Sequence, residues 1–180
     1  MSLSSESIVR TACGLLTDYG LQDVTMRRLA AELGVRPGAI YYHVPSKQEL
    51  LRRVAHRLLA PLEEDDSGPY ELLLRLRRAV LPLRDGGDLL LIAYGLDQEI
   101  PPVPALRRGL EVEGRSSAEA EQLGAILMRF ALGAIAVEQN IAVMGSPSDQ
   151  PGAEAETGEA GTAESADLYE KGLRSLLRGR

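Results

Sequence analysis

The sequence predicts an all-α chain. Apolar residues recur at steps of three and four through most of its length. Helix-starting residues (Ser, Thr, Pro) stand just ahead of these stripes and Gly just behind them. No stretch shows the alternation of a half-buried strand. With 180 residues, 44% of them apolar, the chain can fill one sizeable core or two smaller ones that share a boundary.

The elements follow in order. A first helix covers about Ser5 to Tyr19, with Ile8, Ala12, Leu15, Leu16 and Tyr19 on one stripe, and Gly20 ends it. Leu21 and Val24 dock the connection. Thr25 caps a second helix whose inner face is Met26, Leu29, Ala30 and Leu33. Gly34 closes that helix, Val35 is the buried pivot of a tight turn, and Pro37 opens a third helix running to His43. Ile40 faces inward. Ser46 with Glu49 forms a capping box for a fourth helix, about Lys47 to Leu59. Pro61 and the acidic run from Glu63 to Pro69 then break the pattern. The expected organisation is a helix-turn-helix domain over 1–60 and a helical body over 61–180.

Five helices are expected in the body, making about nine in all. Tyr70 to Leu83 carries Leu72, Leu73, Leu76 and Val80 on one face. Arg84-Asp85-Gly86-Gly87 interrupts and reads as a hinge, before an apolar helix from Asp88 to Leu96. The Pro-rich stretch from Ile100 to Pro104 precedes a short helix from Ala105 to Glu113. Ser117 opens a long helix to about Val143, with Glu119 and Glu121 complementing its dipole. Residues 145–163 are small and polar and read as a flexible loop. The last helix, Ala163 to Leu177, carries Leu168, Leu173, Leu176 and Leu177.

Charge is unevenly spread. Residues 1–60 hold 8 Lys/Arg against 5 Asp/Glu (+3), and the rest hold 12 against 21 (−9), giving the net −6. A basic segment on an acidic body points to a polyanion met only at the N-terminal end. Cys13 is the one cysteine, so neither an internal disulfide nor a cysteine zinc site is expected. No secretory leader and no apolar run of about 18 residues is apparent, so no membrane contact and a cytoplasmic location are expected. The only histidines are His43 and His56, without a nucleophile–base pairing, a phosphate loop or a carboxylate–histidine cluster. Enzyme activity, a cofactor and a metal are therefore not expected.

The segment from Thr25 to Lys47 carries the chemistry. A helix-turn-helix lays its second helix in the major groove while the first crosses the backbone. Thr25, at a helix N-terminus, offers a hydroxyl beside unpaired N–H groups, which suits a phosphate. Arg27 and Arg28 add charge to the same strand. Tyr42, His43 and Lys47 suit phosphate contacts, which position a protein without reading sequence. Base reading falls to the start of the third helix: Arg36, Pro37, Gly38, Ala39 and Tyr41. Arg36 is the strong hydrogen-bond reader among them, with guanine as the common partner of arginine. The expected partner is a double-stranded DNA operator.

The run L-A-A-E-L-G-V-R-P-G-A-I-Y-Y-H-V-P-S-K-Q-E-L-L resembles the DNA-binding domain of TetR-family transcriptional regulators over about residues 5–60. More weakly, Arg84-Asp85-Gly86, Phe130 to Ala134 and Glu138-Gln139 resemble the C-terminal domain of the tetracycline-repressor branch. In that branch a metal-ligating His follows the Arg-Asp-Gly. Here the stretch is Gly87-Asp88-Leu89-Leu90-Leu91, so a metal–tetracycline chelate is not the expected ligand. The resemblance implies a ligand-responsive regulator, a repressor, that binds a palindromic operator as a homodimer and is released by a small-molecule effector of unknown identity. It implies a dimer bundle built from the long helix and the last one, with Leu123, Leu127, Ala134, Val137, Ile141, Leu173 and Leu176 in the interface. It implies an effector pocket in the body, for which His56, Tyr94, Met128, Phe130, Ala131 and Gln139 are the candidate lining residues.

Overall fold

A computed structural model describes residues 3–144 and 157–179. Nine α-helices and no strand form among the described residues. The first four are α1 (Ser5–Tyr19), α2 (Met26–Glu32), α3 (Pro37–His43) and α4 (Lys47–Leu59), with a 3-10 turn at Leu21–Asp23. Ser4 and Ser7 cap α1 reciprocally, Thr25 accepts from the Arg28 N–H, and Ser46 accepts from the Glu49 N–H. Gly34 takes a left-handed φ of 65°, which the turn between α2 and α3 requires.

The body contains α5 (Pro69–Val80), α6 (Gly86–Leu96), α7 (Val103–Val112), α8 (Ser117–Met144) and α9 (Thr157–Arg178). Three departures from the sequence reading have physical causes. Helix α5 stops at Val80, ahead of Pro82. Helix α9 starts at Thr157 rather than Ala163, so part of the expected 145–163 loop is helical; the rest of it, 145–156, lies outside the described residues. Helix α6 starts at Gly86, because its two glycines are close-approach positions rather than breakers. A Cβ on Gly87 would sit 2.7 Å from the Ala136 Cα of α8, and one on Gly86 would sit 2.9 Å from the Val80 carbonyl oxygen.

Two apolar cores are stitched together by shared helices. The N-terminal core holds Ile8, Ala12, Leu16, Leu29 and Ile40 with Leu50, Leu51 and Val54 of α4, and it also takes Leu89 from α6. The body core takes Ala55 and Leu59 from the end of the same α4, with Leu90, Ala93 and Tyr94 of α6. Helices α4 and α6 thus each bury residues in both cores, so neither part can shift without repacking the other.

The α5–α6 junction, expected as a hinge, is held by hydrogen bonds. The Gln139 amide donates to the carbonyls of Val80, Leu81 and Leu83 at 3.2, 3.1 and 2.8 Å. Its oxygen accepts from the Gly87 N–H at 2.7 Å. Asp85, at a left-handed φ of 55°, accepts from the Leu21 N–H at 2.8 Å and so ties α6 to the N-terminal domain. Gly20 is needed opposite, because a Cβ there would lie 2.5 Å from the Asp85 carboxylate.

Helix α8 amends one expectation. By length and composition it is apolar enough to cross a membrane. Much of that apolar character serves the body core: Leu127, Met128, Ala131, Leu132 and Ile135 are fully buried there. Cys13 packs against the N-terminal core, and burial pushes its thiol pKa up, as for an inert structural cysteine.

Candidate nucleic-acid interface

Helix α3 buries only Ile40, with Val44 just beyond it, so nearly its whole circumference faces outward. Arg36, Pro37, Gly38, Tyr41, Tyr42 and Lys47 are exposed, Tyr42 to 87%. A tyrosine so exposed contributes little to the protein's own packing. Thr25, Ala39 and His43 are half-buried at the edges of the same face. No heavy atom lies within 4 Å of where a Cβ would stand on Gly38, so nothing in this chain demands its smallness. A surface that must approach another molecule closely does demand it.

The structure separates Arg27 from Arg28, which the sequence could not. Arg27 is exposed. The Arg28 guanidinium pairs with Asp23 and lies 4.0 Å from the centre of the Tyr19 ring. Arg28 therefore braces the α1–α2 connection. Tyr19, expected on the inner stripe of α1, is 48% exposed beneath it. The Thr25 oxygen caps α2 by accepting the Arg28 N–H at 3.1 Å, leaving its O–H to donate outward.

Behind the exposed face lies a charged cluster that periodicity did not reveal. Glu49 accepts from Arg52 at 2.9 and 3.0 Å and from Arg53 Nε at 2.5 Å. Arg52 and His56 both reach the Asp97 carboxylate at the end of α6, at 3.2 and 3.1 Å. The Arg52 hydrogen bonds, joined by those of Arg53, outweigh burial and hold the Glu49 carboxyl down to about 2. Burial opposes ionisation of Asp97, but the Glu99 N–H, His56 and Arg52 together hold its carboxyl below the usual range.

Because the folded Glu49 pKa lies below its ordinary 4.5, the cluster stabilises the fold above about pH 4.5, and that contribution is lost as pH falls toward 2. Urea titrations from pH 6 to 2 should show a shallower loss of stability in Glu49→Gln than in the wild type. Identical profiles would remove Glu49 from the acid response.

Met128 and Ala131 are fully buried and Tyr94 nearly so. Phe130 stacks on Tyr169 with ring centres 5.7 Å apart. His56 is engaged by Asp97 and Gln139 by backbone, so both side chains already have structural partners. On the expected dimer surface, Val137 and Ile141 are exposed to 59% and 57%, while Leu123, Ala134 and Leu176 are half-buried. Leu127 and Leu173 need correction: both are fully enclosed in the body core, so within this fold they back such a surface and cannot form it. Ile126 and Leu168, at 50% and 69% exposure, are further exposed apolar side chains of α8 and α9 that the expected interface did not include. Among the described residues, no three His, Cys, Asp or Glu side chains come together as a metal site.

This fold and this outward face define a helix-turn-helix protein with an all-helical body. Residues 8–54 match the family model described as bacterial regulatory proteins, tetR family. The chain is 31% identical to the tetracycline repressor protein class C of Escherichia coli over 149 residues, 76% of this chain and 67% of that one. It therefore belongs to the TetR family. The crystal structure of Mycobacterium smegmatis BioQ is similar at a TM-score of 0.77 and 29% identity, covering 97% of this chain and 96% of that one. BioQ solved with its natural double-stranded DNA operator is similar at a TM-score of 0.71 and 29% identity, covering 94% and 99%.

Proposed function

We propose that this protein is a ligand-responsive transcriptional repressor of the cytoplasm, binding a palindromic operator as a homodimer and released by a small-molecule effector. The observation that carries this reading is the outward set on α3 and the start of α4. Arg36, Tyr41, Tyr42 and Lys47 are exposed on a short helix whose one buried residue is Ile40. Such a helix presents its N-terminal residues to base edges and its flanks to phosphates. Arg27 and the Thr25 hydroxyl extend the phosphate set, with His43 at its edge. The similarity to BioQ, which has been solved on its operator, supports the same use of this face.

The homodimer is supported by the exposed apolar strip of α8, where Val137 and Ile141 would otherwise face water. Twofold symmetry would set two recognition helices about one helical turn of DNA apart. The effector would enter the body around Tyr94, Met128, Phe130 and Ala131, where α6 meets α8 and where repacking would reach α4 through the shared cores.

Salt-dependent binding tests the DNA reading. Lys47→Ala is expected to weaken binding to all duplexes alike and to lower the slope of log affinity against log salt by about 1 per bound protomer. An unchanged slope removes Lys47 from the phosphate set. A wild-type protein that binds no duplex at low salt removes the reading altogether.

A further inference from the structure

We propose that Arg53, a half-buried residue of α4 outside the set offered to DNA, is a positioning residue for DNA recognition: its guanidinium holds the C-terminal end of α3 from the side of α4. This rests on the DNA-binding reading above. Helix α3 has 7 residues, well short of the roughly 12–15 at which a helix is even marginally stable alone. Ile40 anchors its middle, and the Val44 N–H satisfies the Ile40 carbonyl at 2.9 Å. The last carbonyls of a helix have no partner within it. At His43 that partner is Arg53, whose Nη1 donates to the carbonyl at 3.3 Å.

The same guanidinium donates to the Ser5 hydroxyl in the first turn of α1 and, through Nε, to Glu49 of α4 at 2.5 Å. Three helices therefore meet at one side chain. A cation at this end also complements the helix dipole. Glu49 is in turn bonded by Arg52, which reaches Asp97, so the support is anchored to the end of α6 in the body. The same end of α3 carries the Tyr42 and His43 rings, edge to face at 5.2 Å. A small tilt of this end would move both rings and the start of α4 relative to a phosphate strand. Arginine suits the task because its planar fork serves acceptors in several directions, which the single ammonium of lysine does not.

A positioning residue and a phosphate contact differ in one measurable respect. Removing a phosphate contact lowers the salt slope and weakens all duplexes together. Removing a positioning residue lowers the preference for the operator over unrelated DNA. The test uses the full chain, an operator duplex selected from random DNA by the wild type, and a scrambled duplex. Arg53→Met is expected to lower operator affinity about tenfold, with scrambled-duplex affinity and salt slope near wild type. Arg53→Lys should recover little of the preference. Circular dichroism reports folding, and if Arg53→Met fails to fold, Glu49→Gln is measured in the same assays with the same expected loss of preference. Parallel loss on both duplexes with a slope lower by about 1 would make Arg53 a phosphate contact and overturn the proposal. Unchanged preference in a folded variant would also overturn it. A wild type that selects no operator at all would instead bring down the DNA-binding reading, and the proposal with it.

Discussion

Replacing Glu138 by alanine is expected to cost about 3–5 kcal/mol of stability, because it strands a buried guanidinium. Glu138 of α8 accepts from Arg77 of α5 through both carboxylate oxygens, at 2.9 and 2.5 Å. The two side chains are only 9% and 15% exposed. Beside them the Tyr169 ring of α9 lies 5.7 Å from the Arg77 guanidinium, and its hydroxyl donates to the Leu73 carbonyl at 2.9 Å. Burial pushes the Tyr169 phenol pKa well up, a sign of how little water reaches this corner. Removing one charge leaves the other without solvent or partner, whereas removing both replaces an ion pair by apolar packing. The double variant Arg77→Met/Glu138→Leu should therefore recover most of the loss, with a large coupling energy in urea denaturation. A Glu138→Ala protein within about 1 kcal/mol of wild type would mean that water reaches Arg77 after all.

The second large effect is expected on recognition rather than on folding. Arg36→Ala should relax the base preference at one position of each half-site by about 1–3 kcal/mol, or roughly five- to 150-fold. Arg36 is the exposed N-cap of α3, in extended conformation at φ −75° and ψ 145°. Its side chain therefore leaves the helix start, where the proposed DNA reading puts the base edges. Arg28, by contrast, is held by Asp23 and Tyr19, and its loss should be felt as stability. Thermal unfolding of Arg36→Ala should stay within about 0.5 kcal/mol of wild type, as for a surface change. Selection of binding sites from random duplexes decides the matter: the same consensus from both proteins would remove Arg36 as a reader.

The N-terminal domain was legible almost to the residue. Helices α1 to α4 begin and end where the sequence reading places them, because Thr25, Pro37, Ser46, Gly20 and Gly34 are local signals whose physics involves only a few neighbouring residues. The body was legible in outline only. Gly86 and Gly87 read as a breaker, yet they begin a helix because Val80 and Ala136 press against them. Leu127 shares the α8 stripe with Val137 and Ile141, Leu173 lies on the apolar stripe of α9, and periodicity alone could not tell which apolar side chains the protomer itself encloses.

Sequence by itself determined the all-α class and the helix-turn-helix, since caps, turns and stripes are written within one or two helical turns. Only the tertiary structure decided which arginines face outward and which brace the fold. Arg28, Arg53 and Arg77 look like Arg27 and Arg36 in the sequence, but their partners are set by packing. Asp23, the His43 carbonyl and Glu138 stand 5, 10 and 61 residues away, and only the last of these could not be reached within one small domain. A charge acquires its role from the distance and burial of its counter-charge, and those exist only once the helices have packed.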